Sequence, residues 1–165
     1  NIKLINSGPE HGASDMAEAY GKLTGCPVVA FVTRGPGACH ASVGVHIAKQ
    51  DSTPMILFVG QVPSHVLGRE AFQEIDYFSM FSKVAKWCDQ IPDAESIEEY
   101  LNKAFEIALS GRQDPVVLAL PEDDLTKQAE SKNIQPIQLP KRILSEGNLK
   151  TLKDILSKAK NPLTW

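Results

Sequence analysis

This 165-residue sequence has little of what marks a metal centre, a disulfide framework or a charged partner. Its three cysteines (Cys26, Cys39 and Cys88) are odd in number and widely spaced, with no CxxC pair. That argues against a disulfide scaffold and structural zinc, and favours reduced thiols in a cytoplasmic compartment. His11, His40, His46 and His65 fall at no metal-ligand spacing, so each reads as an ordinary surface or core histidine. Positive charge is not in excess. The formal net charge is −3, which leaves no electrostatic footprint for nucleic acid or an anionic membrane. No apolar run is long enough to span a bilayer, and the first residues show no basic-then-apolar pattern. Internal repeats and low-complexity tracts are absent. With 42% hydrophobic and 22% charged residues, the composition is that of an ordinary globular protein, one domain's worth with part of a second.

What is present is a series of apolar runs, each led by proline. PVVAFV (27–32), PMILFVG (54–60) and PVVLAL (115–120) lack polar alternation. Such runs suit strands buried on both faces of a parallel sheet, and proline is tolerated at the first strand position. Helical patterns separate them. Residues 15–25 end at Gly25, residues 36–52 start with Pro36 in the first turn, and residues 95–111 place Ile97, Tyr100, Leu101, Ala104, Phe105 and Ala108 on one stripe. The alternation predicts an α/β fold, doubly wound, with a mainly parallel sheet and helices on both faces. Ile2–Ile5 reads as a further strand. Residues 61–92 break the pattern and read as a long loop, a place where function concentrates. Residues 122–145 resemble an interdomain linker, and 146–160 an amphipathic helix with Leu149, Leu152, Ile155 and Leu156 on one face. The expected organisation is therefore a domain over 1–121 lacking its N-terminal part, a linker over 122–145, and the opening of a second domain over 146–165. The sequence reads as a piece of a longer polypeptide.

Three segments carry chemistry. The Gly35-Pro36-Gly37 turn follows the first apolar run, where a parallel strand ends and ligands bind in open α/β sheets. It fits neither the dinucleotide fingerprint, since His40 stands at the last position, nor a P-loop, since no Gly-Lys-Ser/Thr follows. A tight turn without a ligand is the alternative. Glu10 lies among Gly8, Pro9 and Gly12, in a loop or at a helix start. An acid in apolar surroundings there would have a raised pKa and exchange a proton with a ligand; alternatively it is a helix-start acid favoured by the macrodipole. In GREAFQEID (68–76), Phe72 and Gln73 sit between Glu70 and Glu74. They suit a substrate pocket, or a short helix with Phe72 in the core. The acidic run Glu122, Asp123 and Asp124 reads as a solvated turn.

Together, EHGASDMAEAYGKLTG, VTRGPGACHASVGVHIAKQDSTPMILFVGQVP, GREAFQEID and GRQDPVVLALPEDD resemble the N-terminal, pyrimidine-binding domain of thiamine-diphosphate-dependent enzymes. They are similar in particular to the acetolactate synthase large subunit, with the related oxo-acid decarboxylases and carboligases. The likeness covers about Leu4 to Asp124. It implies that Glu10 hydrogen-bonds a ring nitrogen of the cofactor's aminopyrimidine and promotes the imino tautomer, whose nitrogen deprotonates the thiazolium carbon. Gly35, Pro36 and Gly37, with His40 a turn later, would pack beside the pyrimidine. Phe72 and Gln73 would line the pocket for a 2-oxo acid, with Lys86 at its entrance.

The implied reaction is decarboxylation of a 2-oxo acid such as pyruvate, followed by ligation of the bound carbanion to a second carbonyl. The implied cofactors are thiamine diphosphate and Mg²⁺. No Gly-Asp-Gly occurs in this sequence, so the metal ligands are expected outside this segment. The implied assembly is a dimer or tetramer with the active site between subunits. Two other readings stand beside this one: a stand-alone pyrimidine-domain subunit of a split decarboxylase, and a catalytically inert α/β module. The chain departs from the family pattern at Gly8-Pro9, where Arg-His is usual, and at His11, His40 and Trp87, where glycine or glutamine, asparagine and histidine are common.

Overall fold

The computed structural model describes residues 3–131 and 144–162. In chain order the elements are α1 (Glu10–Thr24), β1 (Val28–Val32), α2 (Pro36–Asp51), β2 (Met55–Gln61), α3 (Tyr77–Phe81), β3 (Trp87–Gln90), α4 (Ile97–Leu109), β4 (Val116–Pro121) and α5 (Glu146–Lys158). The four strands form one parallel sheet in the order β1-β2-β4-β3. The three proline-led runs supply β1, β2 and β4. Central β2 and β4 are buried on both faces, which is why their sequences show no alternation.

Helices cover both faces. Met55, Leu57 and Val59 of β2 point into one layer with Ala17 of α1, Ala41, Val45 and Ala48 of α2, and Tyr77 and Phe81 of α3. Ile56 and Phe58 point into the other, against Ala104, Ala108 and the stripe of α4. The steps β1–β2 and β2–β3 carry α2 and α3 on the first face. The return step from β3 to β4 carries α4 on the second. A right-handed crossover that reverses direction along a sheet has to change face, so the topology is doubly wound as the alternation predicts.

The packing of α1 on α2 sets the position of everything at the site. The buried stripes are made mostly of small residues: Ser14, Ala17 and Gly21 beside Glu18 on α1, and Ala38, Ala41, Gly44 and Ala48 beside Val45 on α2. A Cβ on Gly44 would lie 2.5 Å from Ser14 Oγ and 2.7 Å from the Ser14 carbonyl carbon. The two backbones therefore nearly touch, and only glycine fits.

Three expectations are corrected. Lys3–Ile5 is not a strand; it has no ladder partner among the described residues, and Leu4 and Ile5 are exposed. Ile2 lies outside the described residues. Residues 61–92 are not one long loop. They contain a 3-10 turn at Ser64–Val66, then α3 and β3. β3 is short and only partly buried, so it carries no apolar run to read. Finally, the acidic run is not a solvated turn. Asp124 is 1% exposed and accepts from Lys127 Nζ at 2.7 Å, while Asp123 accepts from the Ser64 amide at 2.9 Å. The run ties the end of β4 to the turn after β2. Of the expected linker, 132–143 lie outside the described residues. Helix α5 follows, with no buried residue.

Two outcomes follow from this packing. Gly44→Ala should lower stability by about 1–3 kcal/mol in a denaturant titration, the usual penalty for overpacking. Gly147→Ala on exposed α5, where nothing lies within 4 Å of the added carbon, should be neutral or stabilising. Equal effects would contradict the close approach. Burial pushes the Cys88 thiol up to about 12, so almost no thiolate exists at pH 8. An alkylating reagent at that pH should label exposed Cys26 and Cys39 and spare Cys88 until the chain is unfolded.

Candidate functional site

Glu10 opens α1, after Pro9 in extended conformation. Because α1 ends just before β1 begins, its start lies at the carboxyl edge of the sheet. The acid sits in the first turn, where the macrodipole favours it. Its carboxylate Oε2 lies 3.0 Å from His40 Nδ1 on α2. The contact is a matter of register. Glu10 stands one turn before Ser14, and His40 one turn before Gly44, so the contact that fixes the two helices also brings these side chains together.

The Gly35-Pro36-Gly37 turn joins β1 to α2 at the same edge. Gly35 adopts φ 59° and ψ −107°, a conformation closed to residues with a side chain. A Cβ there would lie 2.8 Å from Gln73 Cβ and 3.0 Å from the Gln73 carbonyl oxygen. Pro36 takes the first helical position, where its missing N–H has no helical role. Gly37 lies close to the end of β1: an added Cβ would be 2.9 Å from Thr33 Cγ2, with Glu10 Cγ in ordinary contact at 3.6 Å.

The loop carrying Phe72 and Gln73 is tied down at several points. Glu74 accepts from the amides of Gly68 (2.5 Å) and Ala71 (2.9 Å), and these N–H groups hold its carboxyl below the usual carboxylate range, Gly68 foremost. The buried Gln61 amide donates to the Ile75 carbonyl at 3.0 Å. Asp76 caps α3 by accepting from the Ser79 amide. Tyr77 closes the structure. Its hydroxyl accepts from the Gly35 amide at 2.8 Å and donates to the Gly60 carbonyl at 3.0 Å, bridging the ends of β1 and β2. Within this loop Gln73 is held at φ 66°, uncommon for a residue with a side chain.

The structure thus brings together Glu10, Gly35, Pro36, Gly37, His40 and Gln73. Phe72 lies on the same loop and is 79% exposed, so the alternative of a short helix with Phe72 in the core is not what forms. Lys86 lies elsewhere. It precedes β3 at the opposite edge of the sheet, and its ammonium donates to the carbonyls of Ile107 (2.6 Å), Ser110 (2.5 Å) and Arg112 (2.7 Å) around the end of α4. There a cation satisfies the helix's unpaired carbonyls. Of the two readings of Glu10, the raised pKa of an acid in apolar surroundings is not what the structure gives. Its carboxyl lies below the usual range, first because of the His40 hydrogen bond and then because of its own helix-start amide. The apolar surroundings that a rise would need are not there. Sequence reasoning missed Tyr77, Glu74 and Gln61; the glycine ending PMILFVG, which meets the Gly35 turn through Tyr77, was the available signal.

Residues 1–80 match the family model described as thiamine pyrophosphate enzyme, N-terminal TPP binding domain. The chain belongs to this family of thiamine-diphosphate enzymes. It is 35% identical to the mitochondrial acetolactate synthase catalytic subunit of Saccharomyces cerevisiae, over 94% of this chain and 24% of that protein. It is 36% identical to the acetolactate synthase large subunit of Buchnera aphidicola, over 94% of this chain and 28% of that protein. It is 34% identical to the acetolactate synthase isozyme 3 large subunit of Escherichia coli, over the same shares. The chain spans about a quarter of the length of these curated relatives. Among the described residues no helix is long and apolar enough to cross a membrane.

Tyr77→Phe should remove the bridge between β1 and β2 and leave a buried amide and carbonyl unpaired. The expected loss is about 1–3 kcal/mol, with faster hydrogen exchange at the Gly35 amide. An unchanged Gly35 exchange rate would show that the turn does not depend on Tyr77.

Proposed function

We propose that this chain is the pyrimidine-binding part of an acetolactate-synthase-like enzyme. That enzyme would decarboxylate a 2-oxo acid of the pyruvate class and join the remaining carbons to a second carbonyl compound. The observation that carries the reading is Glu10 at the start of α1, beside the Gly35-Pro36-Gly37 turn and against the carboxyl edge of the sheet. The residues fit the aminopyrimidine of thiamine diphosphate. The Glu10 side chain is 36% exposed beside this turn, and a carboxyl group there can share a proton with a ring nitrogen. When bound, the cofactor supplies the electron sink for breaking the bond to the carboxylate.

The chain's own residues would then have distinct tasks. Glu10 holds a proton at the pyrimidine ring nitrogen. The backbone of Gly35 to Gly37 forms a flat wall for the ring, kept in place by Tyr77. Phe72, exposed at the site, and Gln73, beside Gly35, present an apolar ring and an amide to the 2-oxo acid. The diphosphate needs Mg²⁺, an oxygen-seeking cation. By the resemblance its ligands would come from outside this segment, which has no Gly-Asp-Gly. By the same reading, residues 1–121 form the pyrimidine domain, 122–145 a linker and 146–165 the opening of a further domain. The exposed apolar side chains of α5 support that. Exposed Met16 and Tyr20 on α1, with Val43 and Ile47 on α2, support an assembly of at least two subunits with the site near their interface.

Glu10→Gln in the polypeptide that carries this chain should lower turnover by about 10²–10⁴-fold, the range for losing a positioned proton-transfer group. The fold should persist by circular dichroism. Full activity of Glu10→Gln would reduce Glu10 to a helix-start acid.

A further inference from the structure

The Glu10 carboxylate already has a partner. A carboxylate oxygen only accepts hydrogen bonds, so His40 Nδ1 carries the hydrogen in the 3.0 Å contact with Glu10 Oε2. Two flexible surface side chains would gain little from meeting. Here the Ser14–Gly44 contact one turn away fixes both helices, so the meeting is built into the fold. The His40 side chain is 61% exposed and that of Glu10 36%, so the imidazole has water available to it if the contact opens.

We propose that His40 is a positioning residue that favours the ionised form of the Glu10 carboxyl, and so sets how readily Glu10 accepts the proton that the ring requires. This deepens the function proposed above and rests on it. A ring nitrogen with a lone pair needs a protonated Glu10. The His40 N–H bonds an ionised Glu10 more strongly than a protonated one, whose carbonyl oxygen is the weaker acceptor. Taking up the ring therefore means that Glu10 gains a proton from a buffer acid in the solvent, which leaves as its conjugate base, while the Nδ1–H···Oε2 hydrogen bond weakens.

The other titratable groups nearby do not replace His40. His11 follows Glu10 on α1 and contributes only a weaker electrostatic pull on it. Cys39 precedes His40 on α2. Arg34, in the turn after β1, pairs with Glu122, and the Tyr77 hydroxyl is taken up by Gly35 and Gly60. The lowered Glu10 pKa, with the His40 hydrogen bond as its largest cause, agrees with the 3.0 Å geometry.

The test combines two readouts on His40→Ala and His40→Asn. In the first, the carbon-13 shift of the Glu10 carboxyl is followed against pH in the chain. His40→Ala should raise the Glu10 midpoint, and His40→Asn, whose amide can still donate, should restore part of the wild-type value. In the second, thiamine diphosphate with Mg²⁺ is titrated calorimetrically into the polypeptide that carries this chain. The sign follows from the midpoint: a lower pKa leaves fewer protonated Glu10 at neutral pH, so wild type should bind more weakly there than His40→Ala. The difference should be about two- to fivefold, as for an exposed pair, and should close as pH falls below the Glu10 midpoint. An unchanged midpoint, or equal affinities at all pH values, would overturn the role of His40. Retained activity in Glu10→Gln would instead defeat the reading of Glu10 itself, a result independent of either His40 readout.

Discussion

The near-contact of two helix backbones at Ser14 and Gly44 is the constraint on which the site depends. Small residues line both buried stripes, so α1 and α2 approach until a single added carbon would collide with Ser14. This fixes their relative height and rotation. One turn before the contact, and only because of it, Glu10 and His40 face each other 3.0 Å apart. A looser packing with larger side chains would leave Glu10 at the edge of the sheet but would not determine what it faces. Packed interiors transmit such constraints because they deform little.

A second set of contacts brings the remaining parts to the same edge. Tyr77 joins the ends of β1 and β2 through one hydroxyl, and Gln73 lies against a glycine that could not carry a side chain. The glycine turn and the 68–76 loop therefore behave as one surface. Strain is concentrated here: Gly35, Glu70 and Gln73 all adopt positive φ. Such conformations persist where the surroundings over-determine them, and Glu74, Gln61 and Asp76 supply those surroundings.

Much of the fold was legible in the sequence because its signals are local and strong. Continuous apolar runs led by proline identify β1, β2 and β4, and the stripe from Ile97 to Ala108 identifies α4. β3 was not legible: Trp87–Gln90 is short and partly exposed, so burial leaves no pattern there. The stretch around Ile5 misled in the opposite way, since two exposed apolar residues imitate a strand without a partner. At the site, Glu10 and the glycine turn could be found from their punctuation. Tyr77 could not, because it acts across the sheet edge; His40 was placed beside the pyrimidine, but its bond to Glu10 runs between helices, at a distance that no linear spacing encodes. Lys86 shows the limit of transferring a role by position. It sits at the opposite edge, where the carbonyls at the end of α4 occupy its charge.

The central claim is that Glu10 and the glycine turn together receive a pyrimidine ring. The most direct measurement is an experimental structure of the polypeptide carrying this chain, determined with thiamine diphosphate and Mg²⁺ bound. The account predicts a pyrimidine nitrogen within hydrogen-bond distance of the Glu10 carboxyl and the ring against the backbone of Gly35 to Gly37. A ring bound elsewhere, away from the Glu10 carboxyl, would contradict it.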